Sequence, residues 1–316
     1  MTSSPAILEA PMHVDKNHAE ALAGLVSGAT VIRCDEPLAK RTTLRVGGRA
    51  DLYLEPASEA DLAAVLKYCG TCGLKFFVLG RGSNLVVRDG GFRGVVICLA
   101  HAVFSQVAIN GEHLRCGAGA KLKHVSVEAK RHGLAGLEFL EGIPGSVGGA
   151  LRMNAGAMSG ATFDIVESAR LMDFNGNVRE LTPQEMAVEY RCCATCKTHI
   201  ALGAVLKGRP DAREAIEQRM NDYSKKRWAS QPAMSSAGCA FKNPAGHSAG
   251  RLIDELGLKG TRVGGAVVSA EHGNFIVNDG AATARDVLAL MEILKERVKA
   301  ERGIDLHTEV EIIGED

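Results

Sequence analysis

Residues 75–89, KFFVLGRGSNLVVRD, decide the fold. The first five read as a β-strand, GRGSN (80–84) as a tight turn, and Leu85, Val86 and Val87 as strand again. A Rossmann dinucleotide fingerprint needs a helix directly after its glycines, with the helix N-terminus facing the pyrophosphate. A second strand in that place excludes the Rossmann unit. What remains is a strand–turn–strand whose small residues let backbone N–H groups approach an anion. Taken alone, an ordinary turn explains it equally well.

Upstream, TTLRVGGRADLYLEP (42–56) is β-rich and broken by Gly47-Gly48, while residues 1–33 read as an irregular or weakly helical N-terminal segment. Ser58 starts a helix with Asp61 as its capping-box partner, and Gly73 ends it before the strand at 75–79. This β-α-β-β pattern forms a mixed unit over residues 34–100. A second unit, 101–209, holds hairpins around Asn110-Gly111 and Asn175-Gly176, a helix over 121–132 and a strand over 199–208. A third, 210–316, opens on a helix with Ile216, Met220 and Tyr223 on one face and later carries a long helix capped by Thr283 and Asp286. Its last strand spans 304–314, with Ile304, Leu306, Val310 and Ile312 alternating toward one face. Glu309 and Glu311 then point the other way, Glu311 toward solvent. The fold class is α+β.

Composition narrows the function. Lys+Arg and Asp+Glu balance at 37 each, so no basic surplus points to nucleic acid or an acidic membrane. No apolar run reaches the roughly 18–20 residues of a membrane span, and the start lacks a secretory layout. A cytoplasmic protein is expected. Nine cysteines are then most simply free thiols. Two CxxC pairs, Cys69–Cys72 and Cys193–Cys196, would suit zinc, but Cys69 continues the apolar stripe of Leu62, Val65 and Leu66. A packing role is preferred, and no metal is expected.

GIPGSVGGA (142–150) is the more specific motif. Pro144 fixes its start, and Gly145, Gly148 and Gly149 strip side chains from a segment leading into Asn154-Ala155-Gly156. Stretches so bare let something flat or anionic lie against the backbone. Two such loops in consecutive units, without a Rossmann unit, suggest one extended cofactor between two α+β subdomains.

In the order VLGRGSNLVVRD (78–89), GLEFLEGIPGSVGGALRMNAGA (136–157), EYR (189–191), SQP (230–232), SAGCAFKNP (236–244), GGAVVS (264–269), HGNFIVN (272–278) and TEVEIIG (308–314), the chain resembles the MurB family. The first two motifs alone resemble the wider FAD fold of vanillyl-alcohol oxidase and p-cresol methylhydroxylase. The compact third unit resembles the shorter class of the family, without a tyrosine-bearing insert. The resemblance implies non-covalent FAD, NADPH as hydride donor, and reduction of UDP-N-acetylglucosamine enolpyruvate by a monomer. It places Gly80, Arg81, Gly82, Ser83 and Asn84 at the phosphates, and Gly145, Ser146, Gly149, Asn154 and Gly156 near pyrophosphate or ring.

It further implies that Arg191 holds the substrate carboxylate, that Glu309 acts as a protonated acid with a raised pKa, and that Tyr190, Arg227, Lys242 and Asn243 bind substrate. Lys259 and Arg262 are lesser candidates. The chain departs from the family at Cys239, where a proton-donating serine is usual; a thiol can also give a proton to a carbanion. The rival expectations are an oxidase of the same fold and a thiol-based metal-binding protein.

Overall fold

The computed structural model describes residues 14–316, so the first thirteen residues of the N-terminal segment lie outside the described residues. The remainder of that segment is ordered into the fold. A helix, Lys16–Ala23, is capped by Asp15, and Val31–Pro37 forms a strand antiparallel to Arg49–Glu55. Structure thus begins well before residue 42. VIRCDEP lacks apolar alternation because, among the described residues, it is an edge strand, with a single neighbour in its sheet and its middle exposed.

The first sheet runs Val31–Pro37, Arg49–Glu55, Phe92–Cys98, Phe76–Leu79, with the last three strands parallel. Helix Glu59–Cys72 makes the crossover between parallel strands. Ser58 caps this helix by accepting from the N–H of Asp61. The expected reciprocal bond is not made. Instead the Asp61 carboxylate accepts from the N–H and hydroxyl of Ser27 and the hydroxyl of Thr30, tying the N-terminal segment down.

Both faces of this sheet are covered, as side-chain alternation in a strand allows. Leu52 and Leu54 enter a core shared with the second unit, while Tyr53 between them enters a smaller one on the other face. The second sheet is antiparallel, in the order Val178–Leu181, Val166–Asp173, His199–Lys207, His113–Gly117, Val107–Asn110. Both Asn-Gly hairpins fall where the sequence puts them.

Helix Arg213–Ser230 opens the third unit in sequence but packs on the second. Ile216 and Met220 cluster with Ala135, and Arg219 reaches the carboxylate of Glu138. The third unit proper is a four-stranded antiparallel sheet (Ser235–Cys239, Phe275–Asn278, Ala266–Val268, Arg262–Val263) with helices Ala249–Glu255 and Ala284–Arg302. The last strand is shorter than expected, Glu311–Ile313, and leaves this unit to pair in parallel with Leu85–Val87. Among the described residues no helix is long and apolar enough to cross a membrane.

Candidate active site

The two glycine-rich loops face each other across a cleft with two lobes of about 850 and 640 Å³. Lys40, Thr42, Gly80, Arg81, Ser146 and Gly149 belong to both lobes. At Gly82, φ is +60° and a Cβ would come within 2.4 Å of the Arg41 carbonyl, so only glycine fits the turn. A Cβ on Gly80 would stand 3.2 Å from Oγ of Ser146, across the gap between the loops. Glycine there leaves the buried Ser146 facing bare backbone, the kind of cradle a phosphate-linked dinucleotide occupies. The residues present therefore fit FAD.

The smaller lobe gathers the expected chemistry, since Arg191, Cys239 and Glu309 all line it. Arg191 sits in the turn between the short strands Val188–Glu189 and Cys192–Cys193. Its φ of +56° is a left-handed conformation costing a non-glycine residue about 1–2 kcal/mol. Such strain commonly marks sites where function dictates the residue. Nε of Arg191 lies 3.1 Å from Oε1 of Glu309. The separation suits a hydrogen bond but the N–H direction does not, so Nε has no well-directed acceptor among the described residues. Nη2 donates at 3.3 Å to the carbonyl of Gly156.

Cys239 ends the strand Ser235–Cys239, whose pairing with Phe275–Asn278 slips between Ser236 and Cys239. Gly238 at φ +77° lies in that irregularity. Bulges of this kind re-aim a side chain beside active sites. Burial pushes the thiol up to about 12, the charge of Glu309 adds to the shift, and Arg191 opposes it. Burial also raises the pKa of Glu309, against the lowering influence of Arg191 and Lys242. One fixed cation, a thiol that holds its proton and a carboxyl whose proton affinity is raised thus share one lobe. That set can bind a carboxylate, stabilise charge growing beside it and supply a proton.

Of the other expected residues, Ser83, Gly145, Gly156 and Arg227 line the smaller lobe. Asn84 does too, but its amide donates to the main-chain carbonyl of Glu309 at 3.2 Å. Asn154 lines neither lobe. Its side chain donates to the carbonyl of Glu189 and accepts from the N–H of Phe163, so it braces the segment that carries Arg191. Tyr190 is 57% exposed and lies over the Arg191 guanidinium, 5.1 Å from it, outside the cleft lining. Lys242 and Asn243 are also outside it. Asn243 accepts from the N–H of Ala249 at the start of a helix. Lys259 and Arg262 are held by Asp254 and Asp279.

Glu311 is not the solvated neighbour expected. It lines the lobe and accepts from Nε and Nη2 of Arg152, at 3.3 and 2.6 Å. Nη1 of Arg152 donates to the carbonyl of Cys196 at 3.0 Å. This pair escaped the sequence reading. The available signal was an arginine set among the small residues of GGALRMNAGA. Cys69, Cys193 and Cys196 lie buried in the shared core. Among the described residues no cluster of three or more His, Cys, Asp or Glu could hold a metal ion.

Comparison with known proteins gives consistent matches along the chain. Residues 50–182 match an FAD binding domain, and residues 231–313 match the C-terminal domain of UDP-N-acetylenolpyruvoylglucosamine reductase. The reductase of that name from Clostridium botulinum (strain Hall) is 41% identical over 293 residues, 92% of this chain and 95% of the relative. That of Clostridioides difficile (strain 630) is 42% identical over 287 residues, 90% of this chain and 94% of the relative. The crystal structure of the reductase from Thermus caldophilus superposes with a TM-score of 0.77 at 41% identity, covering 90% of this chain and 98% of that one.

Proposed function

The chain belongs to the MurB family of UDP-N-acetylenolpyruvoylglucosamine reductases, and from that membership we propose how its residues divide the reaction. It is an FAD-dependent oxidoreductase of peptidoglycan precursor synthesis, with the α+β FAD-binding fold of the vanillyl-alcohol oxidase and p-cresol methylhydroxylase type. The proposed substrate is UDP-N-acetylglucosamine enolpyruvate, reduced to UDP-N-acetylmuramate at the expense of NADPH by a cytoplasmic monomer. Cell shape and division would depend on the product.

Bound FAD supplies hydride transfer, from NADPH and then to the terminal vinyl carbon of the enolpyruvyl group. Residues Gly80–Ser83, Gly145, Ser146 and Gly149 hold the cofactor through bare backbone and two hydroxyls. Arg191 grips the substrate carboxylate with its planar fork of donors. Hydride addition turns that end of the substrate into an enolate-like dianion. Arg191 and the neutral carboxyl of Glu309 stabilise it, and the Cys239 thiol gives its proton to the carbon beside the carboxylate. Arg227 meets the diphosphate. The convergence of Arg191, Cys239 and Glu309 on one lobe of a glycine-lined cleft carries this reading.

Anaerobic NADPH should bleach the visible flavin spectrum, and the enolpyruvyl substrate should restore it. Rapid reoxidation by oxygen with no response to that substrate overturns the proposal in favour of an oxidase. Acid precipitation should leave the polypeptide colourless, since the FAD is held without a covalent bond.

A further inference from the structure

The chain contains a single tryptophan, Trp228. Tryptophan is highly buried on average, yet Trp228 is 62% exposed. It does not stand on open surface: it lines the smaller lobe, with Arg227, Gln231 and Met234 on the same wall. The Arg227 guanidinium lies 5.7 Å from the indole centroid, within cation–π reach. The Arg227 stem in turn lies over the second glycine-rich loop, its Cδ 3.9 Å from where a Cβ on Gly142 would be. Nε of Arg227 donates to Gln231 at 3.2 Å. The helix ending in this wall is fixed to the second unit through Ile216 and Met220. A braced indole is therefore held at the cavity wall with most of its surface uncovered.

Resting on the reaction proposed above, we propose that Trp228 is a stacking platform for a nucleobase of the reacting nucleotides. Each reactant brings its reacting group to the lobe of Arg191, Cys239 and Glu309. Each also carries, across a diphosphate, a planar base that takes no part in the chemistry: uracil in the UDP-sugar, adenine in NADPH. An indole face grips such a ring without hydrogen-bond selection, because every base has a π-face. Arg227, over the same indole, is placed to meet the diphosphate next to the base.

The test uses the FAD-loaded full chain, with Trp228→Ala and Trp228→Phe compared with wild type. KM is measured for NADPH and for the enolpyruvyl substrate, and UDP and adenosine 2′,5′-bisphosphate are titrated alone as base-bearing probes. In Trp228→Ala the KM for one reactant should rise on the order of tenfold, with kcat within about twofold, as expected for loss of one base stack. Trp228→Phe should stay close to wild type. Weaker UDP binding assigns the platform to uracil, and weaker adenosine bisphosphate binding assigns it to adenine. Wild-type indole emission, which comes from this residue alone, should change on adding the same probe. If both KM values and both probe affinities in Trp228→Ala stay within about twofold of wild type, the platform does not exist. A wild-type enzyme that binds UDP through Trp228 but does not reduce the enolpyruvyl substrate would overturn the reaction and leave the platform standing.

Discussion

Asn84 grips the chain on both sides of Val310: its Nδ2 donates to the carbonyl of Glu309 at 3.2 Å, and its own carbonyl accepts from the N–H of Glu311 at 3.0 Å. The first glycine-rich turn is therefore joined directly to the segment that bears the acid. The depth of the Glu309 carboxyl in the cleft is set relative to the loop that holds the cofactor.

Arg191→Ala and Glu309→Gln should keep NADPH-driven flavin bleaching and lose reoxidation by the enolpyruvyl substrate. Only the second half-reaction creates the dianion these residues serve, and removing one such donor costs about 3–4 kcal/mol, or 10²–10³ in rate. Stopped-flow spectroscopy separates the halves. Burial raises the pKa of Glu309, so its neutral form persists to higher pH than an ordinary glutamic acid's and is lost as pH rises through the raised value. That fall should appear in wild type and vanish in Glu309→Gln.

Cys239→Ser should keep substantial turnover, and Cys239→Ala should lose roughly the 10²–10⁴ of a missing general acid. An ordinary thiol would ionise near 8.5; burial holds this one up to about 12. The donor disappears as pH rises through that value, so between pH 7 and 10 the thiol should stay protonated and react slowly with iodoacetamide. A pH–rate limb near 8.5 in wild type, absent from Cys239→Ser, would contradict the burial of this thiol.

Arg152 and Glu311 should prove coupled. Each is about one-third exposed, so the pair alone contributes little to stability, but it links helix Val147–Met153 to the strand behind Glu309. Arg152→Glu and Glu311→Arg should each weaken FAD retention, and the double exchange should recover part of the loss. A double-mutant cycle on FAD affinity measures this, with about 0.5–3 kcal/mol expected for contacting residues. Strict additivity would show that the two act independently.

Asp61→Ala should destabilise the fold by about 1.5–3 kcal/mol, the worth of hydrogen bonds to a charged group, because the buried carboxylate that ties down Ser27 and Thr30 is lost. Burial alone would raise the Asp61 pKa, but the bonds from Ser27, Thr30 and Ser58 outweigh it and lower the value. A depressed folded pKa gives stability present above the unfolded value, near 3.9, and lost as pH falls through the folded one. Urea melts at pH 7 and below pH 4 should show the wild-type advantage shrinking toward Asp61→Ala.

Local patterns carried most of the architecture. The turn at 80–84, both Asn-Gly hairpins and the Thr283–Asp286 cap depend on residues a few positions apart, and each forms as the sequence implies. What escaped depends on partners far along the chain. Val31–Pro37 is a strand because Arg49–Glu55 pairs with it, and helix Arg213–Ser230 turns toward the second unit because Glu138 and Ala135 await it. Glu309 and Glu311 look alike in an alternating strand. Their surroundings, Arg191 for one and Arg152 for the other, come from the second unit, more than a hundred residues back along the chain. Motif resemblance named Arg191, Cys239 and Glu309, which the fold brings to one lobe, and also Asn154 and Asn243, whose amides bond to backbone outside the lining, as an amide in a motif serves backbone as readily as ligand.

The bond from Asn84 to Glu309 spans 225 residues, which sets a timetable for a nascent chain. At ribosomal speeds of about 5–20 residues per second, Glu309 follows Asn84 by roughly 10–45 s. Within that interval the rest of the first sheet, the whole second sheet and the second glycine-rich loop, complete by Lys207, are synthesised and can fold. Leu85–Val87 waits without its partner strand, and the cleft has no acid. A strand edge left open for that long is a site where chaperones or neighbouring nascent chains can bind. The enzyme therefore acquires its scaffold early and its reactivity last.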